Sequence, residues 1–328
     1  MSTTAPRPRA PHRLATAIWT LAVPLVLAAV ALVIAASWRD RLPDPIAIHW
    51  GTGGVDGFGT FWPHVLVPLA GLVPLFSLGF WALGTFLGHD AMPRRLAAGM
   101  AVWTSVFVAT MTLTTLWVQL DLDDAALAGD VGAGMAIGFV AGTALGAIAA
   151  WLMPGDPPQP TTAPVGADAP RLDLADGERA TWVESVAQRG IVWIGVTLVT
   201  TFGVTGLLTR QWWIPVAFLA VLLPAILALS AFTVIVDHRG LSVDSRLGWP
   251  RRTIPLDEIE QASARDVSPL REFGGWGMRT AVDGTTGVVL RQGPAIIVER
   301  TGGRRYAVTV DDAETGAALL NTLASRTR

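Results

Sequence analysis

The chain of 328 residues has no cysteine, no lysine and a single tyrosine. Without thiols it can form neither disulfides nor thiolate metal sites. Charged residues make up 15% of the chain, against about 25% in ordinary soluble domains, and the formal net charge is -2. Nothing in that balance provides the basic footprint of a nucleic-acid binder. No HExxH helix and no P-loop spacing occur, so the commonest metalloprotease and nucleotide-loop signatures are missing, and no cofactor is expected. Every positive side chain is an arginine.

What the chain does have is apolar length. Hydrophobic residues are 51% of it, and the mean hydropathy is +0.46. Six runs, about 14–37, 64–87, 96–119, 131–153, 190–209 and 212–235, are each near the ~20 residues that cross a bilayer. Several of the 14 tryptophans fall where these runs meet polar sequence: Trp38, Trp50, Trp62, Trp117, Trp151, Trp212 and Trp213. That is the placement of an interfacial belt. No run holds an interior Asp, Glu, Arg or His, which argues against a proton- or cation-coupled carrier.

The expected architecture is therefore a membrane all-α bundle of about six helices followed by a small soluble β domain with one C-terminal helix. Residues 1–13 read as a disordered tail, 14–153 as four spans with a loop at 38–62, and 154–175 as a flexible linker. Residues 176–236 read as a collar helix, capped by Asp176, feeding two further spans, and 237–328 as the β domain. From Phe232 on, short β-branched runs such as Thr233–Val236 and Ile296–Val298 alternate with glycine turns, a strand pattern. Asp311 with Glu314 three residues on suggests a capping box for the last helix. Arg7, Arg9, Arg13, Arg94, Arg95, Arg171, Arg179 and Arg189 fall on one side of this topology. The positive-inside rule then places both termini in the cytoplasm and the 38–62 loop outside, with Arg39 and Arg41 against the trend.

Four groups of residues stand out. The first is the loop 42–60, LPDPIAIHWGTGGVDGFGT. Pro43 and Pro45 must leave the helix. His49 and Trp50 suit a boundary, and the glycines, Gly54 and Gly57 among them, are expected to supply turns around Asp56. With His64 on the same side, His49 and Asp56 form a candidate oxygen/imidazole metal set, near Asp121–Asp124. The second is the stripe Gly134, Gly138, Gly142, Gly146, which lets another helix come close, either in its own bundle or in a second copy. The third is Gly274–Gly277 with Arg279, where a tight crossing over a buried Trp276 is expected around Gly275 and Gly277. The fourth is the arginine group Arg246, Arg251, Arg252 and Arg265, a candidate face for anionic lipid or phosphate.

A span followed by LPDPIAIHWGTGGVDGFG resembles the family catalogued as domain of unknown function 1648. That module is shared with the immunity membrane proteins that guard bacilli against a secreted sporulation-delaying toxin. The resemblance covers about residues 14–90. The last hundred residues resemble a bacterial pleckstrin-homology-like domain, through strand order, the Gly–Gly–Trp–Gly segment and the final helix. Together these imply a multi-pass bacterial plasma-membrane protein without catalytic activity, with a sensing, immunity or signalling role. Its partners would be the bilayer, a protein on the β domain and a second copy of the chain. A metal-dependent membrane enzyme built on His49, Asp56 and His64, and an oligomeric scaffold, are the alternatives.

Overall fold

The computed structural model describes residues 10–328 apart from 52, 176, 189 and 211. Most of the expected tail, with Arg7 and Arg9, lies outside the described residues, as do Asp176 and Arg189. The chain divides into two compact units, one of residues 10–155 and 198–221, the other of the remaining described residues.

The first unit is helical. Helix α1 runs Arg13–Ser37, and the strands β1 (Ile46–Gly51) and β2 (Gly54–Gly59) form an antiparallel hairpin. Helices α2 (Phe61–Phe86), α3 (Ala91–Trp117) and α4 (Gly132–Leu152) follow. All four helices are long and apolar enough to cross a membrane. Their inward faces repeat at helical spacing. Ala28, Ala31 and Ala35 of α1 meet Phe61, Val65, Leu69 and Val73 of α2, with Leu116 of α3 closing the cluster. Arginines 94 and 95, expected in a loop, lie in the first turn of α3.

Two of the prolines inside the helices, Pro24 and Pro74, follow widened turns. A π-helical turn at Ile18–Ala22 comes just before Pro24, and another at Val67–Leu72 just before Pro74. A proline has no N–H to give and its ring crowds the carbonyl four residues back. One extra residue per turn moves that carbonyl away.

Helix α5 (Ile191–Thr209) and helix α6 (Trp213–Ser230) occupy the fifth and sixth expected runs. Helix α6 meets the length and hydropathy of a span, while Trp193–Leu208 of α5 is a shorter apolar helix. Helix α6 stops at Ser230 rather than near 235. From Ala231 the chain is already a strand, because β-branched residues alternate between core and surface there.

The second unit is built of two sheets and a helix. Strands β3 (Trp182–Ala187), β4 (Ala231–Asp237), β5 (Gly240–Ser245) and β6 (Arg251–Pro255) form one antiparallel sheet in chain order. The second sheet starts with β7 (Ile259–Val267), followed after a short helix α7 (Pro269–Phe273) by β8 (Gly277–Thr280) and β9 (Thr286–Val289). Strands β10 (Gly293–Arg300) and β11 (Arg304–Thr309) complete it, in the order β7-β10-β11-β9-β8. Helix α8 (Ala313–Arg326) packs Ala317, Leu320 and Ala324 into the core with Val234, Ile254, Ile296 and Val308.

Three expectations are corrected here. The collar helix is strand β3, paired residue for residue with β4 from Trp182↔Val236 to Ala187↔Ala231. Its period is two: Val186 is buried while Val183 is 57% exposed. Helices α5 and α6 are consequently an insertion between two neighbouring strands of one sheet. The expected flexible linker has no helix or strand, yet from Asp156 onward it is docked. Val165 and Ala169 lie in the β core, the Thr161 amide donates to the Asp257 carbonyl at 2.7 Å, and Asp156 pairs with Arg252 at 2.8 Å. Its prolines merely keep it extended. Finally, α8 is capped by Asp312, whose carboxylate accepts from the Thr315 amide at 3.2 Å. Asp311 stands one residue too early, and its amide, like that of Asp312, donates to the Glu184 carboxylate instead.

Candidate functional site

The hairpin β1–β2 presents the chain's most distinctive arrangement of polar groups. Its base is inside the bundle: Ile46 and Ala47 are buried. The buried amide of Gln119, at the end of α3, grips the edge of β1 there. Its Oε1 accepts from the Ala47 N–H at 2.8 Å, and its Nε2 donates to the Ala47 carbonyl at 3.1 Å and to the Thr115 carbonyl at 2.6 Å. A strand edge leaves such N–H and C=O groups unpaired unless something satisfies them. Gln119 supplies what a third strand would. Its isolation at a helix end in the sequence gives little sign of this role.

Beyond the base the polar side chains emerge. His49 Nδ1 and Asp56 Oδ1 stand 2.5 Å apart across the two strands, with side chains 71% and 54% exposed. The register breaks on either side of His49, which pairs with Gly57. A Cβ at Gly57 would sit 2.8 Å from His49 Cβ, one at Gly59 would sit 2.8 Å from Ile48 Cδ1, and one at Gly51 would strike the Asp56 carboxylate. Gly51 and Gly57 make room for the cross-strand pair, and Gly59 for Ile48, rather than forming turns. Only Gly54, at φ 109°, takes a turn conformation that other residues avoid. Trp50 Nε1 donates to the Gly129 carbonyl at 2.9 Å, fastening the outer part of the hairpin to the α3–α4 connection.

His64 does not join this pair. It lies in the first turns of α2, with its Nε2 2.8 Å from Thr115 Oγ1, so the candidate three-residue metal set of the alternative reading is not assembled. Among the described residues no group of three or more His, Asp or Glu is gathered as for an ion. Asp121 is engaged as well. Arg41 donates to both its carboxylate oxygens, at 2.9 and 2.5 Å, and accepts its amide proton at 2.8 Å. The hydrogen bond from Arg41 holds the Asp121 carboxyl below its usual range. The tether is thus fully formed above the ordinary aspartate pKa and is lost as pH falls through that lowered value. Arg39, the other arginine against the positive-inside trend, stands 3.9 Å from Asp44 and over the Phe61 ring.

At the other end of the bundle Arg94 is completely buried. It donates to the carbonyls of Gly88, Pro154 and Gly155 at 2.7, 3.3 and 3.2 Å, while Arg95 Nε donates to Met153 O at 3.3 Å. Carbonyls at and just beyond a helix C-terminus have no partner within the helix, and cations are favoured there. The glycine stripe of α4 is also occupied within the chain. Gly134 faces Thr114, Gly138 faces Thr110 and Phe107, and Gly142 and Gly146 face Trp103 and Gly99, all on α3.

In the β unit the singled-out residues do not converge. Arg251 pairs with Asp244 at 3.1 Å, Arg252 with Asp156, and Arg265 with Glu272 at 2.7 Å. Trp276 is 43% exposed rather than buried. Gly275 and Gly277, at φ 143° and 102°, turn the chain into β8 and leave the indole outside. Arg279 closes that turn, its Nε donating to the Trp276 carbonyl at 2.8 Å.

The Gln119 grip carries a prediction. Gln119→Leu leaves the Ala47 N–H and C=O without the side chain that satisfies them, at a cost of about 2 kcal/mol. Chemical unfolding in detergent measures that loss, and hydrogen exchange localises it to the Ala47 amide.

No curated protein and no solved structure matches the chain. Residues 25–72 match a protein-family model described as Domain of unknown function (DUF1648), a window that holds the hairpin together with the parts of α1 and α2 that carry it.

Proposed function

We propose that this chain is a non-catalytic multi-pass protein of a bacterial plasma membrane, with both termini cytoplasmic, whose hairpin 46–59 recognises an extracytoplasmic ligand. The β unit serves as a pleckstrin-homology-like interaction domain on the cytoplasmic side. One observation carries the reading: an exposed His49–Asp56 pair on a hairpin whose base is locked by Gln119. A rigidly held polar pair loses little freedom when a ligand binds, which is what recognition requires. The arginine distribution supports the orientation, because Arg41 is matched by Asp121 at the hairpin end. The matched window 25–72 coincides with the hairpin and its supports. Immunity against a secreted antimicrobial peptide is the form of this role suggested by the resemblance of that module.

The test is genetic. Cells lacking the gene, challenged with secreted antimicrobial peptides, regain resistance with the intact gene and not with His49→Ala/Asp56→Ala. The double variant keeps its unfolding stability within ~1 kcal/mol, because a solvent-exposed hydrogen bond competes with water and contributes little net. Full resistance restored by the double variant overturns the reading.

A further inference from the structure

The β4–β5 register places one turn of the β unit beside the point where α6 ends. Strand β4 begins at Ala231, directly after Ser230, and Phe232 pairs with Ser245 at the far end of β5. Ser245 Oγ donates to the Ala228 carbonyl in the last turn of α6 at 2.6 Å, and the Arg246 amide donates to Ala231 at 3.0 Å. The next residues, Leu247-Gly248-Trp249-Pro250, form the β5–β6 turn. Leu247 is 56% exposed and Trp249 76%, and the exposed Arg246 and Arg251 flank them, Arg251 holding Asp244 through Nε and leaving the rest of its half-exposed guanidinium toward solvent.

A soluble surface gains nothing from a protruding Leu–Gly–Trp–Pro tip. At the end of a membrane helix the same tip has a partner. Tryptophan and arginine favour the headgroup layer, the one through its amphipathic ring and the other through anionic phosphates. Trp276 lies at the same end of the unit, lining with Gln188 and Ile194 a groove of about 840 Å³ that reaches the first turn of α5. Two exposed indoles therefore stand where the chain enters and leaves its helical hairpin.

We propose that the turn 246–251 is a membrane-interface anchor: Leu247 and Trp249 enter the headgroup layer around the end of α6, and Arg246 and Arg251 contact anionic lipid phosphates. The anchor would hold the β unit against the leaflet.

The absence of cysteine makes the test direct. A nitroxide is attached to Leu247→Cys in the full chain, in nanodiscs of mixed phosphatidylcholine and phosphatidylglycerol. The control is Val282→Cys, which is 90% exposed in the β8–β9 turn, at the opposite end of β8 from Trp276. At position 247 dissolved oxygen should reach the label several-fold better, relative to a water-soluble nickel reagent, than at position 282. Equal ratios at the two positions overturn the anchor. Adding Arg246→Gln and Arg251→Gln, or using phosphatidylcholine alone, should draw the label toward water. An unchanged depth in both cases overturns the anionic contact.

Discussion

Replacing Glu258 by alanine is expected to cost the β unit about 3 kcal/mol, because it takes the carboxylate from a buried charge cluster. The Glu258, Arg300 and Arg304 side chains are 7%, 2% and 4% exposed. Glu258 Oε2 accepts from Arg300 at 2.6 Å and from Arg304 at 3.1 Å, and Oε1 accepts from the Gln159 amide at 3.1 Å. One carboxylate thus joins β10, β11 and the extended segment that follows α4. Burial alone would raise the Glu258 pKa. The hydrogen bonds from Arg300 and the Gln159 amide, with the charges of both arginines, outweigh that and leave it below the usual range. Its stabilising contribution is therefore complete above the ordinary glutamate pKa and disappears as pH falls through the lowered folded value. Glu258→Gln should accordingly lose stability at neutral pH and converge on the wild type in acid. Chemical unfolding followed across pH checks both, and parallel stability curves for the two proteins would contradict the assignment.

The second large effect is expected at Gly146→Leu. A Cβ at Gly146 would lie 2.7 Å from the Gly99 carbonyl oxygen and 3.3 Å from Trp103 Cβ. Neither can yield easily, since Gly99 is helix backbone and Trp103 is stacked on Phe107 at 5.1 Å and edge-on to Phe139 at 5.9 Å. Helices α3 and α4 must separate, and overpacking of this kind costs about 3 kcal/mol. Gly79→Leu is the matched control. Gly79 is in α2 with nothing within 4 Å of its added Cβ, so its change should stay within ~0.5 kcal/mol. Unfolding in mixed micelles separates the two. The comparison also bears on the oligomer seam considered for this stripe: α3 of the same chain already fills it, so a second copy would have to use another face.

The span-length helices were legible in the sequence because a bilayer demands about 20 apolar residues with every backbone group satisfied inside the segment, and the runs that meet this length and hydropathy are helical. The strands of the last hundred residues were legible through period-two alternation. The collar helix was misread for a physical reason. Only Val186 of Trp182–Ala187 is fully buried, and Ala180, Val183, Val186 and Ala187 repeat at helical spacing although Val183 is exposed. Its strand state comes from pairing with Ala231–Asp237, across two intervening helices that no local pattern can bridge. The docked 154–175 segment was hidden likewise, its partners Arg252, Glu258 and Thr322 lying far along the chain.

By itself the sequence determined the apolar runs that the span-length helices occupy, most strands of the last hundred residues, and the polar segment between the first two runs, all set by local composition and periodicity. Tertiary structure alone decided which polar groups meet. His49 finds Asp56 but not His64, Gln119 satisfies Ala47, and Arg94 reaches the carbonyls past α4. A hydrogen bond depends on distance and direction between groups remote in the chain, and neither is written in the order of residues.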